Sequence, residues 1–407
     1  MIAVACAVWL FGNARATALL LASLIFTVLL QLDGGGSLIF PALTIGMVVG
    51  VWRLVIPAAE DAPDALTARK RLALLVILGM IAVFALLKSS VLQDAVGAAA
   101  QARAPINWMW IGFSYTAFRL LHVLLDYRVG RLAPVSLPNF ALYVLFFPAV
   151  AAGPIARVEQ FSKELADRSA RLDATRVQVG VLRIMRGLFK KFIIADSLAL
   201  MALSAPLAAD AQTGDLSAAI ALWVALYAYA FRLFFDFSGY TDLAIGIGIL
   251  GGIKLPENFD APYLKTNIKA FWDSWHMTLA TWFRLYFFTP FSRFLIERGL
   301  KQPRELVVLL AQVGTMVLIG LWHGITLNFV IWGAWHGLGL WLFRQYQARA
   351  SRWDEFTAAR PPLARLMRLL GQVTTFHFVA IGWVFFALTD LALIGKVLVG
   401  LVGAHGG

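Results

Sequence analysis

The sequence predicts an all-α, polytopic helical membrane protein. Three observations carry this. Sixty per cent (60%) of the 407 residues are hydrophobic and only 14% are charged, where a soluble domain carries about 25% charge. Mean hydropathy is +0.76. Aromatic residues reach 13%, with 14 Trp and 30 Phe, which suits helices anchored by aromatic belts at the membrane interfaces. Cys6 is the only cysteine, which excludes an intrachain disulfide scaffold and a cysteine-based metal centre.

The elements follow in order from runs long enough to cross a bilayer, which takes about 20 mostly apolar residues per helix. The run 2–12 has no basic stretch before it and no small-residue cleavage site, so it reads as a short first membrane helix rather than a signal peptide. Strong spans are expected at 16–32, 37–59, 72–87, 105–125, 216–235, 306–322, 324–343 and 372–388. Weaker or broken ones are expected at 137–155, 179–206, 241–253, 277–295 and 391–402, for ten to twelve membrane elements in one domain over 1–407. No internal repeat of 20–50 residues is visible.

The formal net charge of +12 in a soluble chain would suggest nucleic acid. In a membrane chain it means basic cytoplasmic loops, and no nucleic-acid motif accompanies it. Residues Arg69, Lys70 and Arg71 and the segments 157–191, 254–304 and 344–368 hold most Lys and Arg and are expected in the cytoplasm. The stretches 33–36 and 207–215 hold none and are expected outside.

Two segments do not fit simple spans. The run 137–155 has Arg128 and Arg131 before it and Arg157 after it, and contains Pro148, Gly153 and Pro154. A re-entrant or broken element satisfies both facts. Irregular backbone at membrane depth needs burial in protein or a cavity to line, and a cavity is expected near 146–155. The second segment, 255–284, is too polar to span. Leu264, Ile268, Phe271, Trp275, Leu279 and Trp282 recur at steps of three and four, one face of an amphipathic helix at the membrane surface. His276 is expected at the edge of that stripe, beside Trp272.

Ionisable residues in apolar segments are costly and mark function. The candidates are Asp236, Asp242, His276, His323, His336, His122 and His377, with His405 in the tail. A lone membrane histidine is most often hydrogen-bonding glue between helices, the favoured reading for His122, His336 and His377. Asp236 pairs with Arg232 or caps a broken helix at least as readily as it catalyses, and Asp242 is read as structural. Trp272, Trp275 and Trp282 read first as interfacial anchors, and His276 as a surface residue of its helix. His323 stands apart. Gly324, Thr326 and Asn328 follow it, so one apolar run can end there and another begin, leaving His323 facing a cavity. Were 306–343 a single helix, His323 and His336 would lie about 140° apart around it, a poor arrangement for one site. A neutral imidazole can take a hydroxyl proton near neutral pH. No Gly-x-Ser-x-Gly, phosphate-binding loop or His-Glu-x-x-His motif is present. No third ligand at suitable spacing supports zinc, and no metal is expected.

The motifs then fall into a pattern. Phe-Phe-Asp-Phe-Ser-Gly-Tyr-Thr-Asp-Leu-Ala-Ile-Gly at 234–246, Pro-Glu-Asn-Phe at 256–259, Phe-Trp-Asp-Ser-Trp-His-Met at 271–277, Trp-Phe-Arg at 282–284 and Gly-Leu-Trp-His-Gly at 320–324 resemble the membrane-bound O-acyltransferase family. They are most similar to its bacterial branch of alginate and peptidoglycan O-acetylases and teichoic-acid D-alanyl-transfer proteins. Residues 146–157 and Leu-Phe-Lys-Lys at 188–191 match as well, and the motif-bearing core spans about 111–340. The resemblance implies about eleven membrane helices around a central funnel or tunnel. It implies a cytoplasmic acyl donor, acetyl-CoA or an acyl or aminoacyl carrier protein, with no bound cofactor. The family's invariant histidine falls at His323 and a second site residue at His276. Asp236, Trp272, Trp275, Trp322, Asn328 and Pro154 are the expected substrate-binding positions. Where many members carry basic residues, this chain has Asp273 and Ser274, a departure at the donor contact.

On this reading His323 abstracts the proton of the attacking hydroxyl, and His276 stabilises the oxyanion or binds the donor. The expected function is transfer of an acetyl or D-alanyl group to an extracytoplasmic envelope polysaccharide or partner protein. It would take place in a bacterial cytoplasmic membrane with an extracytoplasmic partner acyltransferase. The competing classes are a transporter or flippase, which would predict inverted repeats, and a scaffold subunit, against which the intact histidines argue.

Overall fold

The computed structural model describes residues 1–33, 38–56, 63–89, 110–167, 171–211, 214–300, 304–350, 356–357 and 359–403. The described chain is helical, and its one strand-like feature is an isolated antiparallel bridge between Phe259 and Trp275. Among the described residues, five helices are long and apolar enough to cross a membrane: Arg15–Leu32, Asp64–Lys88, Leu216–Leu250, Arg304–His323 and Pro361–Ala387. This is a multi-pass membrane protein. The chain divides into two compact units, one formed by Met1–Leu188 and Gly239–Glu257, the other by Phe189–Ser238 and Asn258–Gly407.

In the first unit, helices Arg15–Asp33, Ile39–Val55, Pro63–Lys88 and Phe113–Arg128 gather around a core that includes Leu19, Val48, Leu120, Phe140 and Tyr143. The expected spans at 37–59 and 105–125 fall partly outside the described residues, as do 34–36 and His405. The basic run Arg69, Lys70 and Arg71 is helical, not a loop, because the helix starts at Pro63.

The break expected in 137–155 is present. Leu137–Leu145 is helical and is followed by tight turns until helix Val158–Ala166. Nine residues rise only about 14 Å, too little to cross. The break is sealed by protein: Phe146, Phe147 and Val150 are all buried, which is the burial alternative to the expected cavity. Arg119, also buried, donates to the carbonyl oxygens of Val144 and Ala149, each at 2.8 Å. One guanidinium thus ties the last turn of the helix to the turn that follows it. Gly153 closes the turn where a Cβ would lie 2.4 Å from Ala149 Cα, so no larger residue fits there.

Helix Ala174–Leu188 is amphipathic. Its Arg183 and Arg186 reach Asp242 on the last turns of the long helix. Arg183 also forms a two-pronged pair with Glu257. Burial alone would lower the Arg183 pKa, but the hydrogen bonds and charges of Glu257 and Asp242 outweigh it and raise it above the ordinary value.

The long helix Leu216–Leu250 runs unbroken for 35 residues, so the expected spans 216–235 and 241–253 are one element. The polar stretch between them does not break it, because Ser238, Thr241 and Asp242 are buried against protein.

In the second unit, Arg304–His323 and Leu327–Gln347 form an antiparallel hairpin. A Cβ on Gly320 would lie 2.2 Å from Phe329 O, one on Gly333 2.5 Å from Met316 O, and one on Gly337 2.6 Å from Val313 Cα. Small residues at this spacing let membrane helices approach backbone to backbone. The single amphipathic helix expected across 264–282 is not formed. The chain breaks into Ile268–Trp272 and Met277–Phe283. Phe271, Trp275 and Leu279 are buried in protein instead of lying on the membrane.

Candidate active site

His323 is the last residue of its helix, and three residues separate it from the next helix at Leu327. The break expected beside it is therefore real. Its ring is half-buried and edged by aromatics, with centroids 4.4 Å from Trp322, 4.7 Å from Phe386, 5.8 Å from Trp332 and 5.9 Å from Phe329.

His276 arrives from a different element. It precedes helix Met277–Phe283 with a left-handed backbone, φ 43°. Outside glycine that conformation costs about 1–3 kcal/mol and persists only where the surroundings enforce it. The enforcement is visible. Asp260 N donates to Ser274 O and Met277 N to Asn258 O, each at 3.0 Å, so 258–260 runs antiparallel to 274–277. Asn258 Oδ1 accepts from Thr278 Oγ1 at 2.7 Å and from Thr278 N at 3.2 Å, and lies 3.2 Å from His276 Nδ1. His276 is 3% exposed, so it is not the surface residue that its helix position suggests.

Trp322 links the two imidazoles. Its ring centroid lies 6.1 Å from that of His276 and 4.4 Å from that of His323. Phe237 closes the other side of His276 at 4.6 Å.

The remaining expected positions divide. Trp272 and Trp275 are buried, not interfacial anchors. Trp275 packs on Phe271 and Trp383, and Trp272 on Trp332 and His336. Asn328, also buried, donates through Nδ2 to Phe385 O at 2.9 Å, tying the His323 turn to helix Pro361–Ala387. Asp236, half exposed, pairs with Lys191 at 2.5 Å, a partner other than the expected Arg232. Pro154 is buried in the first unit, whereas His276, His323, Trp272, Trp275, Trp322, Asn328 and Asp236 all belong to the second.

The other histidines separate too. His377 is within 2.7 Å of Tyr227 and His122 within 3.0 Å of Tyr143, both joining helices as glue. His336 is fully buried, and neither ring nitrogen has a hydrogen-bond partner among the described residues, so it does not have the glue role expected of it. His122, Asp126 and Glu159 bring one ligand atom each within 4.8 Å of one another in the first unit. Arg157 occupies their neighbourhood, 2.9 Å from Asp126 and 3.4 Å from Glu159, and supplies the compensating charge. Asn258 is the residue that the sequence did not single out. It lies in a quoted motif, but nothing at a separation of 18 residues in irregular chain announces a contact with His276.

Comparison with known proteins supplies the context. The peptidoglycan O-acetyltransferase of Helicobacter pylori is 36% identical over 269 residues, covering 66% of this chain and 47% of that protein. The probable alginate O-acetylase of Azotobacter vinelandii is 38% identical over 284 residues, 69% of this chain and 51% of the relative. The teichoic acid D-alanyltransferase of Streptococcus thermophilus is 32% identical over 293 residues, 69% of each chain. The chain thus spans about half the length of the first two of these curated relatives. The sequence profile of the MBOAT, membrane-bound O-acyltransferase family matches residues 69–393, a range that contains both imidazoles and most of the chain, and the protein belongs to that family.

Proposed function

We propose that this protein is a membrane acyltransferase. It moves an acetyl or D-alanyl group from a cytoplasmic thioester to a hydroxyl on an extracytoplasmic envelope polysaccharide or partner protein. The observation that carries the reading is the pairing of His276 and His323 across Trp322, inside a chain of this family. Attack of a hydroxyl on a thioester needs a proton acceptor and a hydrogen-bond donor for the carbonyl oxygen as it gains charge. Two imidazoles from separate elements provide the groups for both. The oxygen–carbon bond forms, the carbon–sulfur bond breaks, and the hydroxyl proton ends on the departing thiol. The surrounding aromatic rings exclude water, which protects the thioester from hydrolysis.

The donor is acetyl-CoA or an aminoacyl carrier protein. Both are acidic, and both suit the basic segments on the cytoplasmic side. The host membrane is the bacterial cytoplasmic membrane, and an extracytoplasmic acyltransferase completes delivery. Trp322 is the expected substrate-facing aromatic. Trp272, Trp275 and Asn328 act by holding the two imidazole-bearing elements in place.

The test compares envelope glycans of a deletion strain and its parent by mass spectrometry. Acetyl or alanyl esters missing in the deletion, restored by the wild-type gene but not by His323→Ala protein present at normal level, are the expected result. Unchanged esters in the deletion strain would overturn the assignment.

A further inference from the structure

The first unit holds a second cluster of ligand-type side chains. His122 and Asp126 sit one turn apart on helix Phe113–Arg128, and Glu159 comes from the first turn of helix Val158–Ala166. One ligand atom from each falls within 4.8 Å of the others. His122 and Asp126 are buried. Both carboxylate oxygens of Glu159 are buried as well, and neither has a hydrogen-bond partner among the described residues. Hydrogen bonding from behind decides which atom of His122 faces these carboxylates. The Tyr143 hydroxyl lies 3.0 Å from Ala156 O and 3.0 Å from His122 Nδ1. A carbonyl oxygen only accepts, so the one hydroxyl hydrogen goes to Ala156, and the hydroxyl oxygen accepts from His122 Nδ1–H. Nε2 is left to face Asp126, whose Oδ2 is 3.8 Å away. That is too far for a hydrogen bond, and near the spacing of about 3.4 Å between two ligand atoms on a tetrahedral zinc. An imidazole held through Nδ1–H by an outer partner, with Nε2 presented, is how metal-ligating histidines are oriented. Arg157 reaches the same carboxylates, 2.9 Å from Asp126 and 3.4 Å from Glu159. It supplies one positive charge against two negative ones. With 47% of its side chain exposed it can turn outward, and Glu159, 29% exposed, leads from the cluster to the surface, so an ion has a way in.

We propose that His122 Nε2, Asp126 and Glu159 form a binding site for a divalent first-row transition ion such as zinc, with Tyr143 as the outer partner that orients His122. One nitrogen and two carboxylates suit zinc or manganese, whereas magnesium and calcium prefer oxygen ligands alone. The ion ties helix Phe113–Arg128 to helix Val158–Ala166 across the broken segment, and Tyr143 and Ala156 of that segment belong to the same network. Arg119 fixes the start of the break through Val144 and Ala149, and the ion fixes its end. The site is structural and takes no part in acyl transfer.

The test uses the full chain in detergent, purified without a histidine tag, stripped with EDTA and dialysed against buffered free Zn2+, with bound zinc counted per chain. Wild type is expected to hold one zinc that excess Mg2+ does not displace. Zinc is also expected to raise its midpoint of thermal unfolding, because the ligands converge only in the folded chain. Tyr143→Phe loses the outer hydrogen bond and is expected to weaken binding about 10–100-fold. His122→Gln and Glu159→Gln each remove a ligand and are expected to weaken it by about 100-fold or more. Glu159 is partly exposed, so Glu159→Gln should elute as wild type and melt with it when both are zinc-free, which separates loss of the site from loss of the fold. Arg157→Ala removes a competing cation and is expected to bind zinc more tightly than wild type. Wild type that takes up no zinc, zinc held equally well by Glu159→Gln and Tyr143→Phe, or displacement by Mg2+ overturns the proposal. So does an Arg157→Ala protein that melts earlier and is not rescued by zinc, the result expected if the guanidinium is the cation this cluster is built for.

Discussion

Asp242 takes hydrogen bonds from two guanidinium groups at once: Arg183 Nε at 2.7 Å, and Arg186 Nε and Nη2 at 3.0 and 2.9 Å. Its carboxylate is nearly inaccessible, so removing its charge leaves two cations facing a neutral amide. Asp242→Asn is expected to cost about 1–3 kcal/mol, read as a lower midpoint of thermal unfolding in detergent. Glu257, the second partner of Arg183, is half exposed, and Glu257→Gln is expected to cost under about 1 kcal/mol. Equal losses from the two substitutions would contradict the role given to burial. The structural reading of Asp242 was legible in the sequence, because a buried carboxylate in a membrane chain must find cations. Its partners were not, since Arg183 and Arg186 lie 59 and 56 residues away. Asp236 shows the same limit. Arg232, one helical turn earlier, is the only cation that local spacing can offer, yet Lys191 from another element takes the carboxylate. Pairing at i, i+4 is worth only about 0.2–0.5 kcal/mol, and tertiary contacts override it easily.

At the scale of elements, the hairpin of Arg304–His323 and Leu327–Gln347 sets the position of His323, and glycines set the hairpin. Gly333 and Gly337 repeat at four residues and face Met316, Val317 and Val313 across the interface at distances that leave no room for a Cβ. Gly333→Ala is expected to destabilise by about 1–3 kcal/mol, the cost of overpacking. Gly333→Leu should prevent the hairpin from closing, seen as aggregation on size-exclusion chromatography in detergent. Normal elution and unchanged melting of Gly333→Leu would show that the helices do not approach so closely. Elements built from long apolar runs were legible: 16–32, 306–322 and 324–343 all form helices near the expected bounds. Two readings failed for physical reasons. Polar residues around Ser238 suggested a break, but they are buried against protein and leave the helix intact. The three-and-four spacing from Leu264 to Trp282 suggested one helix, but the pairing of 258–260 with 274–277 turns the chain at His276 and splits it. Helical periodicity measures which residues share a face only while the backbone stays helical. The candidate site was legible as His323, His276 and their aromatic neighbours. The Asn258 contact was hidden because it depends on that turn.

At the scale of the whole molecule, charge and length together predict which way the chain lies across the membrane. The helix Leu216–Leu250 has 35 residues, about 52 Å at 1.5 Å per residue, against a hydrocarbon core of about 30 Å. It is therefore long enough to cross with turns to spare. The stretch 207–215 before it contains no Lys or Arg, whereas 254–304 after it is rich in both. The positive-inside rule places the first outside and the second in the cytoplasm. By the same rule the basic segment 157–191 is expected in the cytoplasm as well, the side from which the proposed donor would arrive. Cys6 is the only native cysteine, so Cys6→Ser gives a clean background for mapping. In that background Ala209→Cys, at an exposed position, is expected to react with a membrane-impermeant maleimide on intact spheroplasts. Arg171→Cys, also exposed, should react only after permeabilisation. The reverse labelling would invert the topology and place the basic segments on the acceptor side. An acidic cytoplasmic donor would then have no charged surface to meet, and the direction of acyl transfer proposed for this protein would be untenable even with both imidazoles intact.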